Sequence, residues 1–222
     1  MNDNLVRLNK NEYMAEGMTR YVYAHPKNPD LLIKILKCTI KKWINNEELS
    51  VRNYHRFFKY LLRELAEYAR LKLHFAPNSP SNYIQRIIGF VDTNLGLGLV
   101  VQAEKNDQGK YAKTLFDVIT DGQFNEQVEQ HLEEFIAHMT EIDICVIELT
   151  ANNVVYAFKP SQGYHFVLID GFGEKTLLSL AQYSFSLRKI KRIKAIKSLR
   201  RQVSYLLKAR EEEITLRINT QM

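Results

Sequence analysis

Phe57, Leu61, Leu65 and Tyr68 recur at intervals of three and four, and that period predicts one long amphipathic helix over about residues 47–73. Pro77 and Pro80 close it, because proline cannot continue a helix. What surrounds this helix is strand-like. Arg20–Tyr23 carries strand-type residues, the turn AHPKNPD follows, and LLIKILKC is an apolar run, so two strands joined by a Pro-rich turn are predicted. Downstream, QRIIGFVDT and LGLVVQA flank NLG and read as a hairpin. The pattern then changes. Thr114 and Asp117 have capping-box spacing, and Val128, Leu132, Phe135, Ile136 and Met139 form a helical stripe. Short strands in ICVI, VVYAF and YHFVLID frame a loop, and the C-terminal stretch is helical. Strands with one helix, followed by helices with a small hairpin, predict an α+β fold with its boundary near residues 105–113. Residues 1–104 would form the first part and 105–222 the second.

The chain has 222 residues, with no internal repeat or low-complexity linker; 45% are apolar and 25% charged, which excludes a disordered chain. The apolar run LGLGLVV is far shorter than the roughly 20 residues of a membrane helix. The polar start MNDNLVRLNK predicts no secretory signal. Cys38 and Cys145 lie in apolar, strand-like runs and read as small buried hydrophobes of a reducing compartment, which places the protein in the cytoplasm. The net charge of +6 is concentrated. Arg188–Arg201 reads RKIKRIKAIKSLRR, eight basic residues with no acid, and without them the chain stands at −2. Basicity therefore belongs to one element and is weak ground for a nucleic-acid-binding fold.

Four separated residues point to chemistry. Lys34 sits inside LLIKIL, where its ammonium costs desolvation unless it reaches an acid or phosphates. Glu64 shares a helix face with Phe57, Leu61, Tyr68 and Leu71, and an acid on an apolar stripe wants a cationic partner. Glu67 reads instead as a solvated ion-pair residue between Arg63 and Arg70. In ELTANN, Glu148 and Asn153 are five apart, the spacing of base and metal-binding asparagine in a kinase catalytic loop. Asp170 leaves the buried run VLID for glycines, where a carboxylate can hold Mg²⁺. A lysine, its acid, an asparagine and an aspartate, in this order, are the parts phosphoryl transfer needs.

On these residues the sequence resembles the protein-kinase-like fold, and most closely the bacterial YrbL family linked to the PhoP regulatory network. The resemblance spans about residues 14–175 and is carried by VYAHP with LIKIL, RELAEYARL, DTNLGLGLV with the downstream DQG and TL, ELTANNVV and LID. It implies a two-lobed fold with a small β-rich N-lobe and a reduced helical C-lobe, binding ATP and Mg²⁺. It makes Lys34 the phosphate-contacting lysine, Glu64 its ion-pair partner, Asn153 and Asp170 the metal ligands, and Glu148 the residue at the catalytic-base position. Gly17, Gln102 and Glu104 complete the expected nucleotide contacts. The phosphate-covering stretch AEGMTRYVY keeps one glycine, Gly17, with Ala15 at the first glycine's position. An atypical phosphotransferase and a catalytically inactive pseudokinase working as an interaction module both fit this pattern.

Three further features have ordinary readings. His131, Glu134 and His138 share a helix face and read as solvated rather than metal-binding. His25 is a turn residue. The basic helix puts Ile190, Ile193, Ile196, Leu199, Val203 and Leu206 on one side, expected to dock on the small lobe with the lysines in water. Its alternative partners are an anionic lipid surface or nucleic acid.

Overall fold

The computed structural model describes residues 5–43, 48, 50–74, 83–173 and 184–221. The prolines at 77 and 80 and the predicted helix start at 47 lie outside them. The fold is α+β. It divides into two compact units, Met1–Leu65 with Gln85–Ala103, and Ala66–Ile84 with Glu104–Met222.

The first unit holds an antiparallel sheet of β1 (Ala15–Glu16), β2 (Arg20–Ala24), β3 (Leu31–Leu36), β4 (Ile87–Thr93) and β5 (Gly96–Gln102), in the order β1-β2-β3-β5-β4. The turn between β2 and β3 is closed by His25 N–H to Leu31 O and Asn28 N–H to His25 O, and the Asn28 side chain accepts from Asp30 N–H. His25 is a turn residue, as its neighbours imply. In the hairpin of β4 and β5, the Asn94 side chain accepts from Leu8 N–H at 2.7 Å and donates to Leu8 O at 3.0 Å, tying down the N-terminal segment. Alternation along β3 sends Ile33 and Ile35 into a core with Leu8, Tyr23, Ile40 and Leu95. The same alternation turns Lys34 to the other face. Immediately after β3 the chain enters α1 (Lys37–Trp43), so Cys38 is buried in a helix rather than in the expected strand. Its backbone leaves the sheet because Lys37 N–H bonds Thr19 O and the Thr39 hydroxyl donates to Leu36 O.

Helix α2 (Val51–His74) contributes residues to both units, the division falling between Leu65 and Ala66. The second unit adds β6 (Lys113–Thr114), α3 (Leu115–Thr120), α4 (Glu126–Glu141), β7 (Val154–Lys159), β8 (Gly163–Leu168) and α5 (Phe185–Gln221), with the strands antiparallel in the order β6-β7-β8. The capping box forms as its spacing requires: Thr114 Oγ1 accepts from Asp117 N–H, and the Asp117 carboxylate accepts from Thr114 N–H. Asn125 caps α4 through Val128 N–H, and Val128, Leu132, Phe135, Ile136 and Met139 are all buried. The segment ICVI is not a strand. Only Val146 bridges, to Phe172, because Ile147 and Glu148 both donate to Gly171 O instead of forming a ladder.

Helix α5 corrects the expected docking. Among the described residues it packs on α3 and α4 of its own unit. Its buried stripe is Arg188, Arg192, Ala195, Ile196, Leu199 and Val203, whereas Ile190 is 49% exposed. The stripe is rotated because Asp143 and backbone carbonyls receive the two arginines.

Candidate functional site

In the first unit, strand β3 and helix α2 bring Lys34 and Glu64 together. Lys34 Nζ lies 3.6 Å from Glu64 Oε1, with side chains 6% and 2% exposed. Strand β3 lies between β2 and β5, inside the sheet rather than at its edge. A third residue joins them. Arg20 on β2 donates a charge-assisted hydrogen bond to Glu64 Oε2 and is itself buried. One carboxylate thus serves two cations. Arg20 stands three residues after Gly17, where a G-x-G-x-x-G loop starting at Ala15 would place its third glycine. That offset, in a strand of otherwise apolar and aromatic residues, is the signal that could have found it. Gly17 lies in the turn between β1 and β2, its N–H on Arg20 O at 2.9 Å. At the end of β5, Gln102 accepts from Gln85 Nε2 at 2.8 Å and donates its N–H to Arg86 O.

The second unit builds the loop that carries Glu148, Asn153 and Asp170. Asn153 Nδ2 donates to Glu148 O at 3.0 Å and its backbone N–H to Thr150 O, which fixes the side chain across the turn. This leaves Asn153 Oδ1 as the acceptor available to a metal. Ile169 N–H bonds Asn153 O at 2.8 Å, so the backbone brings Asp170 beside the loop, and one Asp170 oxygen accepts from Gly171 N–H at 2.7 Å. Gly171 is required here. Its φ is +87°, and a Cβ would lie 2.2 Å from Glu148 O. Glu148 itself is exposed. Glu104 is buried, and that burial pushes its carboxyl above the usual range, with Lys159 pulling it back.

Two oxygen donors, a carboxylate and an amide, suit Mg²⁺ when substrate phosphates and water complete its shell. Among the described residues no cluster of three or more His, Cys, Asp or Glu stands ready to hold a metal without such help.

Two readings of single residues are overturned. Glu67 is not solvated: it is 6% exposed, accepts from Cys145 N–H at 2.7 Å and pairs with Arg70 at 2.7 Å. Residues three apart lie only about 60° apart around a helix, so Glu67 shares the buried side with Glu64. The histidine face is only partly solvated. His131 Nδ1 meets the Tyr156 hydroxyl at 2.7 Å, and His138 stacks on Tyr83 with ring centroids 4.1 Å apart. Only Glu134 of the three is exposed.

Sequence reasoning also missed Asp143. Arg188 donates to both its oxygens, at 2.8 and 2.6 Å, Arg70 donates at 3.2 Å, and Arg192 NH1 is 3.9 Å away. Arg192, 1% exposed, donates to Ile144 O and Thr140 O. Burial alone would raise the Asp143 carboxyl, yet the Arg188 hydrogen bonds and the charges of Arg188, Arg70 and Arg192 hold it below its usual value. This cluster anchors α5 and α2 to the segment just before the Glu148 loop.

Comparison with known proteins bears out the resemblance to the YrbL family. A family model described as PhoP regulatory network protein YrbL matches residues 6–204. YrbL of Escherichia coli strain K12 is 27% identical over 186 residues, 81% of this chain and 79% of that protein. YrbL of Shigella flexneri gives the same figures. Among solved structures, Rad53 1–466 in complex with AMP-PNP is similar at a TM-score of 0.49 and 14% identity over 91% of this chain. The chain spans 51% of that one, about half its length. No helix among the described residues is long and apolar enough to cross a membrane. With the family model covering nearly all of its length, the chain belongs to the PhoP regulatory network protein YrbL family.

Proposed function

We propose that this chain is a kinase-like protein that binds Mg²⁺–nucleotide in a bacterial regulatory network and works as an atypical phosphotransferase. The observation that carries the reading is the buried Lys34–Glu64 pair on β3 and α2. A buried lysine paired with a carboxylate is suited to triphosphate oxygens, and few structural roles need one. Asn153 and Asp170 would hold the metal, which neutralises phosphate charge when bound. Glu148 occupies the base position, and Gly17, Gln102 and Glu104 line the nucleotide. The protein would act in the cytoplasm.

A second reading, an inactive pseudokinase, is favoured by one observation. Arg20 bonds the same Glu64 carboxylate that Lys34 approaches, standing where a kinase loop has glycine beside the phosphates. Both readings require nucleotide binding, and only the first requires transfer. Titrating ATP with Mg²⁺ should raise the melting temperature of the wild type and leave that of Asp170→Ala unchanged. Glu64→Gln should weaken ATP binding, and adding Lys34→Met should cost much less than the two single effects together. Intact mass after incubation with ATP and Mg²⁺ then separates the readings, a phosphoryl increment on this chain or an added acceptor supporting the first. No melting shift with any nucleotide removes both.

A further inference from the structure

The outer side of α5 has no role in the reading above. Opposite the buried stripe, at steps of three and four, stand Leu187, Ile190, Lys194, Lys197, Arg201 and Tyr205, all exposed. Ile193, 37% exposed, flanks this row. The eight basic residues of the Arg188–Arg201 stretch divide by environment. Arg188 and Arg192 are buried around Asp143, and Arg200 pairs with Glu133. Among the described residues Lys189, Lys194, Lys197 and Arg201 have no ion-pair partner, and no acid lies between residues 188 and 201 to neutralise them. Because the rest of the chain stands at −2, the positive field is one-sided.

The apolar members of the row select the partner. A phosphate backbone would satisfy the lysines and leave Leu187, Ile190 and Ile193 facing water. Residues 188–201 also contain no aromatic ring on which a base could stack. A bilayer interface takes both kinds of side chain. Lipid phosphates meet the ammonium and guanidinium groups, aliphatic side chains enter the headgroup–acyl boundary, and Tyr205, 73% exposed, suits the same depth. Continuity of the row over about five turns lets the helix lie in the plane of the membrane. We propose that the outer face of α5 docks this protein on an anionic phospholipid surface, lysines and arginine on the headgroups and Leu187, Ile190 and Ile193 in the boundary.

The test is flotation of the full chain with vesicles of phosphatidylcholine alone and of phosphatidylcholine mixed with phosphatidylglycerol, alongside gel retention of a duplex oligonucleotide. Expected is binding to the anionic vesicles only, weakening as salt rises. Lys194→Glu with Lys197→Glu and Arg201→Glu should lower the bound fraction about tenfold or more. Ile190→Ser with Ile193→Ser should lower it severalfold at unchanged charge. All five positions are exposed, so melting temperatures near the wild-type value establish that the variants fold. The proposal is overturned by absence of vesicle binding, by charge-reversal variants that bind as wild type does, or by an isoleucine variant that is indistinguishable from wild type. Oligonucleotide retention without vesicle binding overturns it in favour of nucleic acid.

Discussion

Asp143 gathers Arg188, Arg70 and Arg192 in a partly buried cluster. Removing one partner from such a cluster leaves uncompensated charge, at about 3–5 kcal/mol for fully buried groups and less for Asp143, which is 30% exposed. Asp143→Ala should therefore cost about 2–4 kcal/mol in urea unfolding. Arg200→Ala, which breaks the exposed pair with Glu133, should cost less than about 1 kcal/mol. Equal losses from the two variants would contradict the assignment. A glycine pair gives a second test. Gly163→Ala meets nothing within 4 Å at φ +77°, so it should lose only the about 1–2 kcal/mol of a left-handed alanine. Gly171→Ala adds a collision with Glu148 O, so it should lose more and also abolish the Mg²⁺–ATP melting shift. At this scale the sequence exposed Lys34 and Glu64, because a charge inside an apolar run contradicts its surroundings. Arg20, Glu67 and Asp143 stayed hidden since their partners lie 44, 78 and up to 73 residues away.

Elements with a strong period were legible. Helices α2 and α4 and the hairpins β2–β3 and β4–β5 follow from alternation or from three-and-four spacing. Helix α1 was not, because its seven residues, KCTIKKW, continue the apolar run of β3 and are too few to display a period. The face of α5 was misread for a different reason. Counting isoleucines favours Ile190 and Ile193, whereas ionic contacts with Asp143 make the arginine side the buried one. Short helices depend most on their ends, and α3 has six residues with both halves of its capping box in place. Thr114→Ala should cost about 1 kcal/mol. Thr114→Ser, which keeps the hydroxyl, should recover most of it. If alanine is as stable as wild type in urea, the cap contributes nothing here.

Across the whole molecule, buried titratable groups set how stability responds to acid. Burial holds His138 below the usual 6.5, with Glu141 opposing. It lowers His165 likewise, opposed by the Gly163 carbonyl and helped by Lys159 and His131. A histidine depressed in the folded state contributes stability above its ordinary value, and that contribution is lost as pH falls through the folded value. Glu104 works the other way. Its raised carboxyl contributes stability at low pH, lost as pH rises through the folded value. The urea midpoint should therefore decline as pH falls below about 6.5 and flatten as Glu104 takes up its proton. In the double variant His138→Gln, His165→Gln the decline should be much shallower. A wild-type midpoint that stays level over that range is incompatible with buried neutral histidines.

Glu64 and Glu67 sit one turn apart on a single uninterrupted helix, the first bonded to Arg20 and Lys34, the second to Arg70 and Cys145. Their separation is therefore a heritable dimension of the gene as well as a contact in the protein. Inserting one codon between Leu65 and Ala66 would swing Glu67 about 100° around the axis relative to Glu64, and inserting two would swing it about 200°. Inserting four would bring it back to within about 40° while lengthening the helix by about 6 Å. A length change in α2 at this point therefore re-aims one carboxylate relative to the other, a constraint that the water-facing side chains of the same helix do not carry.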